Sequence, residues 1–274
     1  MKDKYQICFM KPPDFDGALV FREVLFLLRN SFVSLGYDCV IKPNQLAEDR
    51  INIVIGYHLL QYGDYLKQFR YIPFQLEQLD SGNPWYSDNV QKILDSADDV
   101  WDFSEINLEF LSKKGVEARC LTMGYHPDLE IIPQSETKDI DVLFYGSINE
   151  RRKELLESLS EKAGVKVLMG VFGTERDEGI GRSKIVLNMH YYPTRILESV
   201  RISYLLNNRC FVITEDADDN PYDGIDLVTV PYEKLIHRCL YYLRRPDEME
   251  ANRAETYEQF KSNYRMTDIL KKVL

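Results

Sequence analysis

The spacing of apolar and polar residues along the chain predicts an alternation of strands and helices. Short apolar runs rich in β-branched and aromatic residues at 5–11, 51–58 and 140–147 are typical of buried strands. From about residue 19 to 35 the apolar residues instead recur at helical spacing, and Gly36 follows as a helix stop. Strands separated by helices of roughly 10–15 residues indicate βαβ units and parallel sheets, so the predicted fold class is α/β.

The alternation runs through the chain twice, with an interruption between the two series. Residues 128–139, "DLEIIPQSETKD", are polar and show no periodicity. We therefore predict an N-terminal domain over 1–126, a linker over 127–139 and a C-terminal domain over 140–274, as two Rossmann-like domains that face a cleft. The C-terminal helix could cross back to the first domain. One large sheet interrupted by a long loop remains the alternative.

Composition and charge narrow the classes of partner. The chain has 274 residues, 45% of them hydrophobic, and a net charge of −10, which disfavours nucleic acid or an anionic membrane as the main partner. No apolar run approaches the roughly 18 residues of a membrane span, although peripheral membrane contact stays open. The first residues are too few and too charged for a secretion signal, and five scattered cysteines predict buried thiols. We expect a soluble, cytoplasmic protein.

The stretch "NMHYYPTRILESVRISYLLNN", residues 188–208, carries the densest candidate chemistry. We predict a helix over 195–206 with Thr194 as its N-cap. The N-terminus of such a helix offers unpaired N–H groups and a positive dipole end to an anion, with Glu198 one turn deeper. In that arrangement a phosphate binds the amides and the carboxylate reaches a sugar hydroxyl. The alternative is that Glu198 and Arg201 form a solvated ion pair and that the tyrosines only pack.

Three segments together resemble the GT-B glycosyltransferases, in particular the small bacterial CgeB-like, "glycosyl transferases group 1" type. They are "DIDVLFYGSINERRKELLESL", "GVFGTERDEGIGRSKIVLN" and "HYYPTRILESVRISYLLNNRCFVITE", which span about 139–215. Many GT-B enzymes carry two glutamates eight positions apart around a phosphate-binding loop. Glu198 occupies the second position here, whereas His190 stands where the first glutamate would be.

This resemblance implies that the C-terminal domain binds a nucleoside-diphosphate sugar and that the N-terminal domain binds the acceptor. It also implies no catalytic metal and no cofactor besides the nucleotide sugar. His190 is a catalytic candidate, through contact with the donor sugar or its diphosphate. For Arg151 and Arg152 a solvated first helical turn is the alternative. By position, the resemblance assigns donor binding to Gly146, Ser147, Arg151, Arg152, Gly173, Tyr191, Tyr192, Thr194, Arg195, Ile196 and Glu198.

An inverting reaction needs a general base that deprotonates the acceptor hydroxyl. Asp14 and Asp16 lie in the loop after the first strand, and Glu77 lies between the apolar residues Leu76 and Leu79. A carboxylate among apolar neighbours is expected to be partnered or to have a raised pKa, which favours Glu77 narrowly over Asp16. A retaining reaction needs no such base.

The predicted function is transfer of a sugar from a nucleoside-diphosphate sugar to a hydroxyl of a glycan, lipid-linked or small acceptor. Two alternatives stay open at this point. A sugar-nucleotide 2-epimerase shares the GT-B architecture and needs no acceptor. A protein that binds sugar nucleotides without catalysis fits the replacement of the first glutamate by His190.

Overall fold

The computed structural model describes residues 3–12, 20–61, 63–79 and 85–274. The chain divides into two compact units. The first unit contains Met1–His126 together with Met266–Leu274, and the second contains Pro127–Arg265. The catalytic candidate Asp16, like Asp14, lies outside the described residues.

The first unit is built around a six-stranded parallel sheet with the strand order β2-β1-β3-β4-β5-β6. Its strands are β1 (Lys4–Phe9), β2 (Asp38–Pro43), β3 (Ile51–Ile55), β4 (Tyr71–Gln75), β5 (Trp101–Asp102) and β6 (Arg119–Cys120). Its first three α-helices are α1 (Arg22–Ser34), α2 (Asp88–Asp95) and α3 (Glu105–Lys113). Every residue of β3 and β4 is buried, because strands in the middle of a parallel sheet are covered on both faces.

The second unit contains a five-stranded parallel sheet with the order β11-β10-β9-β7-β8. Its strands are β7 (Ile140–Tyr145), β8 (Val165–Leu168), β9 (Ser183–Asn188), β10 (Val212–Glu215) and β11 (Val228–Val230). Its α-helices are α4 (Glu150–Ser160), α5 (Gly173–Gly181), α6 (Ser199–Asn207), α7 (Leu235–Leu243) and α8 (Pro246–Asn263). The α/β prediction, with two Rossmann-like domains, is thereby confirmed.

Both sheets contain a point where the strand order reverses. It lies between β1 and β3 in the first unit and between β7 and β9 in the second. In open α/β sheets, ligands bind beyond the carboxyl ends of the strands at this point, because the connections leave in opposite directions and open a crevice. The residues that follow β7 and β9 are therefore the first place to look for a site.

Residues 127–139, for which the sequence predicts a linker, are part of the second unit. The backbone N–H groups of Ile131 and Ile132 both donate to Oδ1 of Asn208, at 2.7 and 2.8 Å. Leu129 and Ile132 are buried. The polar composition of this segment hid these contacts, because its large apolar residues form one short cluster, from Leu129 to Ile132, and no periodic pattern.

The final helix, α9 (Met266–Leu270), belongs to the first unit. The N–H of Met266 donates to the carbonyl of Tyr125 at 2.8 Å, and Arg119 donates to the carbonyl of Val273 at 3.2 Å. All five cysteines are free thiols, and only Cys120 is not fully buried. Within the described ranges, no helix combines the length and apolarity needed to cross a membrane.

Candidate functional site

Gly146 follows β7 at the point of strand-order reversal and brings the backbone close to a guanidinium. Its φ of +129° lies in the region that favours glycine. A Cβ built on this residue would lie 2.8 Å from Nη2 of Arg201, a distance that real Cβ atoms avoid. A glycine at this position therefore leaves Arg201 room to lie over the end of β7.

The two arginines that begin α4 have different environments. Asn149 caps the helix by accepting from the N–H of Arg152 at 3.0 Å. Arg151 forms a two-pronged pair with the Glu215 carboxylate and stacks 3.7 Å from the Tyr232 ring centre. Burial lowers the pKa of Arg151, but the Glu215 carboxylate outweighs burial and raises it above its ordinary value. The positive charge of Arg151 is thus balanced by the Glu215 carboxylate, and this arginine has a structural role.

Arg152 is a buried cation without an equivalent partner. Its side chain is 3% exposed, which rules out the solvated helix turn considered for it. It donates to the carbonyls of Ser147, at 2.7 Å, and Met189, and Nη2 lies 3.8 Å from Oε1 of Glu198. Burial, and then the neighbouring Arg201, lower the pKa of Arg152 to about 10. Burial of an arginine charge is energetically costly, so a bound anion is expected to stabilise Arg152.

The helix predicted over 195–206 begins later than expected, at Ser199, with Glu198 in the N-cap position. Arg195 has a left-handed backbone with φ of +53°, so neither it nor Thr194 begins the helix. The acidic segment 216–219 accounts for the difference. Arg195 pairs with Asp216 and Asp218, each at 3.2 Å, and the N–H of Leu197 donates to the Asp219 carboxylate at 2.9 Å. These contacts replace the first helical turn.

Glu198 lies inside the site and is not part of a solvated surface pair. Its side chain is 16% exposed, and Oε2 accepts from Nδ2 of Asn188 at 2.8 Å. Nδ1 of His190 lies 3.3 Å from the same oxygen. Burial raises the pKa of the Glu198 carboxyl, but His190, Arg201 and Asn188 outweigh it and hold the pKa below its ordinary value. Glu198 is therefore a carboxylate.

The remaining predicted donor residues differ in their exposure and in their contact with this cluster. Tyr191 is partly exposed, its ring centre lies 5.1 Å from the Arg152 guanidinium, and it meets Tyr192 edge to face. Ile196 is fully buried and forms part of the core. Gly173 begins α5, after the edge strand β8, with φ of +62°.

Three residues of the cluster were not among the predicted site residues, namely Asn188, Arg201 and Glu215. Arg201 donates to Oδ1 of Asn188 at 2.8 Å, and its guanidinium lies 4.8 Å from the ring centre of Tyr145. The spacing of Glu198 and Arg201 placed them together but suggested only an ion pair between them. The position of Asn188 at the end of β9 is the signal that could have identified it.

Several buried polar atoms in the cluster have no hydrogen-bond partner among the described residues. They are Nε of Arg152, Nδ1 of His190, Nε of Arg201, Oε1 of Glu198 and Oγ of Ser199. Because buried polar groups are nearly always paired in folded proteins, such a concentration points to a ligand-binding site. The donors and the net cationic character suit an anion, and the free carboxylate oxygen suits a hydroxyl.

In the first unit, the predicted base Glu77 lies just after β4 and is partnered by His58, which follows β3. The closest nitrogen–oxygen distance between them is 3.7 Å. Burial raises the pKa of Glu77 to about 7 and lowers the pKa of His58 to about 4. The ring of Trp85 packs against His58 at 5.2 Å, and Oη of the fully buried Tyr57 has no hydrogen-bond partner in the described part of the chain. A carboxyl with this pKa is suited to exchange a proton near neutral pH.

The fold is that of solved glycosyltransferase structures. Sucrose-phosphate synthase from Thermosynechococcus elongatus superposes with a TM-score of 0.62 at 11% identity, covering 98% of this chain and 97% of that one. T4 phage BGT in complex with UDP and Mn²⁺ also gives a TM-score of 0.62 at 11% identity, with 99% of each chain covered. The chain therefore has the two Rossmann-like domains of the GT-B fold. A putative UDP-N-acetylglucosamine 2-epimerase from Listeria monocytogenes gives 0.55 at 13% identity, covering 100% of this chain and 96% of that one.

Sequence comparison finds relatives in a virus. The "Uncharacterized protein L137" of Acanthamoeba polyphaga mimivirus is 27% identical over 217 residues, which cover 75% of this chain and 27% of that protein. The mimivirus "Uncharacterized protein L138" is 29% identical over 118 residues, covering 39% of this chain and 13% of that protein. The chain thus spans about a quarter or less of the length of these relatives. No protein-family model matches the chain.

Proposed function

We propose that this protein is a glycosyltransferase of the CgeB-like type that transfers a sugar from a UDP-sugar to a hydroxyl of a glycan, lipid-linked or small acceptor, without a catalytic metal. The observation that carries the proposal is the set of unpartnered buried polar atoms on Arg152, Arg201 and Glu198 at the strand-order reversal of the second unit. Similarity of fold to T4 phage BGT in complex with UDP supports the choice of nucleotide.

In this proposal the second unit binds the donor. Arg152 and Arg201 neutralise the diphosphate and stabilise its negative charge as it leaves the anomeric carbon. The free oxygen of Glu198 accepts from a ribose hydroxyl. Glycine at position 146 and the turn at Ser147 let the backbone approach the diphosphate, and Tyr191 flanks the donor.

The first unit supplies acceptor activation in the same proposal. Glu77 accepts the proton of the acceptor hydroxyl as the new glycosidic bond forms and the bond to the diphosphate breaks. Its partner His58 is neutral near pH 7, since burial lowers its pKa to about 4. Asp16 remains the alternative base.

The donor assignment is tested by thermal unfolding with UDP, GDP, ADP, TDP and CMP, each with and without Mg²⁺. UDP at about 100 times its Kd is expected to add roughly 2.7 kcal/mol to the free energy of unfolding, enough to raise Tm by several degrees. The shift is expected to be the same with and without the metal. Absence of a shift with every nucleotide, in folded protein, would remove the donor-site proposal.

A sugar-nucleotide 2-epimerase is the second candidate, because the fold also superposes on the putative epimerase. An epimerase acts on the donor alone, whereas a transferase needs an acceptor. Incubating the protein with UDP-N-acetylglucosamine and no acceptor, followed by analysis of the sugar products, separates the two. A C2-epimerised sugar in that reaction would support the epimerase in place of the transferase.

Replacing Gly146 with Ala is expected to weaken UDP-glucose binding about tenfold, because the new Cβ would displace the Arg201 guanidinium. Gly170→Ala is the matched control, since Gly170 also has a positive φ, of +66°, but has open space around its Cβ position. Both substitutions are expected to lower stability by about 1–2 kcal/mol through backbone strain. Isothermal titration calorimetry checks the difference, and equal affinities in the two variants would contradict it.

A further inference from the structure

His190 is held on both sides of its ring. Nε2 lies 2.8 Å from the carbonyl oxygen of Asp216, and Nδ1 lies 3.3 Å from Oε2 of Glu198. The side chain is 2% exposed. The resemblance to GT-B enzymes suggested a His that contacts the donor. In this structure the ring nitrogens instead face protein atoms.

The hydrogen-bond network around the ring determines which groups donate. Arg201 can only donate, so Asn188 presents its oxygen to Arg201 and its NH₂ to Glu198. The same NH₂ donates to the Thr214 hydroxyl at 2.9 Å, and that hydroxyl donates in turn to the carbonyl of Glu215. Oε2 of Glu198 is therefore an acceptor.

Both ring nitrogens of His190 consequently face oxygens that only accept. The Asp216 carbonyl requires a proton on Nε2, and a bare Nδ1 at 3.3 Å from the Glu198 carboxylate would set a lone pair against a negative charge. In the doubly protonated imidazolium this repulsion becomes an ion pair between the ring and Glu198, although Nδ1 makes no hydrogen bond of regular geometry. Burial lowers the pKa of His190, but the Glu198 carboxylate and the Asp216 carbonyl outweigh burial and raise it.

We propose that His190 is a positively charged positioning residue that fixes the Glu198 carboxylate and adds a third cation, beside Arg152 and Arg201, to the anion site of the second unit. The part of this proposal that concerns donor binding rests on the proposed function. The charge of the ring itself does not, because it follows from contacts seen without a ligand.

Other charged groups around His190 have defined partners. Glu215 accepts from the backbone N–H of His190 at 3.0 Å and is paired with Arg151, which also donates to the His190 carbonyl at 3.3 Å. The side chain of Asp216 pairs with Arg195. Glu198 is thus the carboxylate that contacts the imidazole ring.

The sign of the pH effect follows from these contacts. As the pH rises through the raised pKa of His190, the ring loses its positive charge and its hold on Glu198. A diphosphate favours the protonated ring, so it raises the pKa further, and by reciprocity its own affinity falls as the proton leaves. Each unit of difference in pKa between the free and bound forms corresponds to a tenfold change in affinity.

The first test uses the ligand-free protein. ¹⁵N NMR of the histidine rings across a pH titration, with His190→Gln for assignment, is expected to show a His190 midpoint above the ordinary value for histidine, with both nitrogens protonated below it. In Glu198→Gln the titration midpoint of His190 is expected to move to lower pH. A His190 titration midpoint at or below the ordinary value for histidine, in folded wild-type protein, would overturn the proposal whatever the nucleotide results.

The second test measures UDP-glucose affinity by calorimetry between pH 6 and 8.5, a range in which the diphosphate of this donor does not titrate. Wild-type affinity is expected to fall roughly tenfold across the range, whereas His190→Gln is expected to bind weakly with little pH dependence. His237→Gln, the same change at an exposed His on α7, serves as the control and is expected to keep the wild-type profile.

The two tests separate the two proposals. A protonated ring in a protein that binds no UDP-glucose removes the donor assignment and leaves the charge of His190 in place. UDP-glucose affinity that is independent of pH in the wild type and unchanged in His190→Gln overturns the role of His190 in the anion site.

Discussion

Replacing Glu77 with Gln is expected to stabilise the protein above pH 7 and to remove most of its transfer activity. Burial raises the pKa of Glu77 from 4.5 to about 7, so the folded state prefers the protonated carboxyl. The stability that the protonated carboxyl contributes is fully present below pH 4.5, its pKa in the unfolded chain. It is lost as the pH rises through 7, its pKa in the folded protein. This pKa shift corresponds to roughly 3 kcal/mol of unfolding free energy. Gln stays neutral at every pH and therefore keeps that stability.

The catalytic half of this prediction concerns the same carboxyl. A positioned general base typically contributes about 10²–10⁴-fold, so transfer in Glu77→Gln is expected to fall by at least 100-fold. The wild-type transfer rate is expected to rise with pH through a midpoint near 7 and to level off above it, because only the ionised carboxylate accepts a proton. Affinity for UDP-glucose is expected to stay unchanged, because the proposed donor residues lie in the second unit.

Unfolding by denaturant at pH 5 and pH 8, together with initial rates of transfer, checks both halves. Glu109→Gln is the matched control, as Glu109 is an exposed carboxylate on α3 of the same unit. If Glu77→Gln gained stability at pH 8 but kept full transfer, Glu77 would be a buried acid without a catalytic role. Tight nucleotide binding without turnover in the wild type would instead favour a non-catalytic binding protein.

Replacing Arg201 with Met is expected to weaken UDP-glucose binding by about 10- to 100-fold while the fold is retained. A hydrogen bond to a charged group contributes about 1.5–3 kcal/mol, and the Arg201 guanidinium has an unpartnered Nε at the site. Met keeps an unbranched apolar chain against the Tyr145 ring, so most of the packing is preserved. Arg201→Lys is expected to restore part of the affinity, because it restores charge without the planar fork.

Calorimetry with UDP-glucose measures this effect, and circular dichroism verifies the fold. Arg182→Met is the control, since Arg182 lies in the same unit and forms an exposed pair with Asp139. Wild-type affinity in a folded Arg201→Met protein would show that the anion site is elsewhere. Equal losses in Arg201→Met and Arg182→Met would indicate a general effect of charge on the unit.

The sequence by itself determined the fold class. The runs that form β1, β3 and β7 are predominantly apolar, and apolar residues recur at helical spacing in the helix α1. Both signals come from neighbours along the chain. The cap of α3 is likewise a local feature, because Ser104 accepts from the N–H of Asn107 three residues later. The helix α2 had no comparably long periodic segment and was not predicted.

Only the tertiary structure decided how the residues at the strand ends are used. Arg151 and Arg152 are adjacent in sequence, yet Glu215, far along the chain, pairs closely with Arg151 and leaves Arg152 with an unpartnered Nε. The start of α6 depends on Asp216, Asp218 and Asp219, which hold the preceding loop out of a helix. Such partners are brought together by the sheet and not by local spacing. Charges, hydrogen-bond directions and pKa shifts at the site depend on those distant contacts, which no local pattern records.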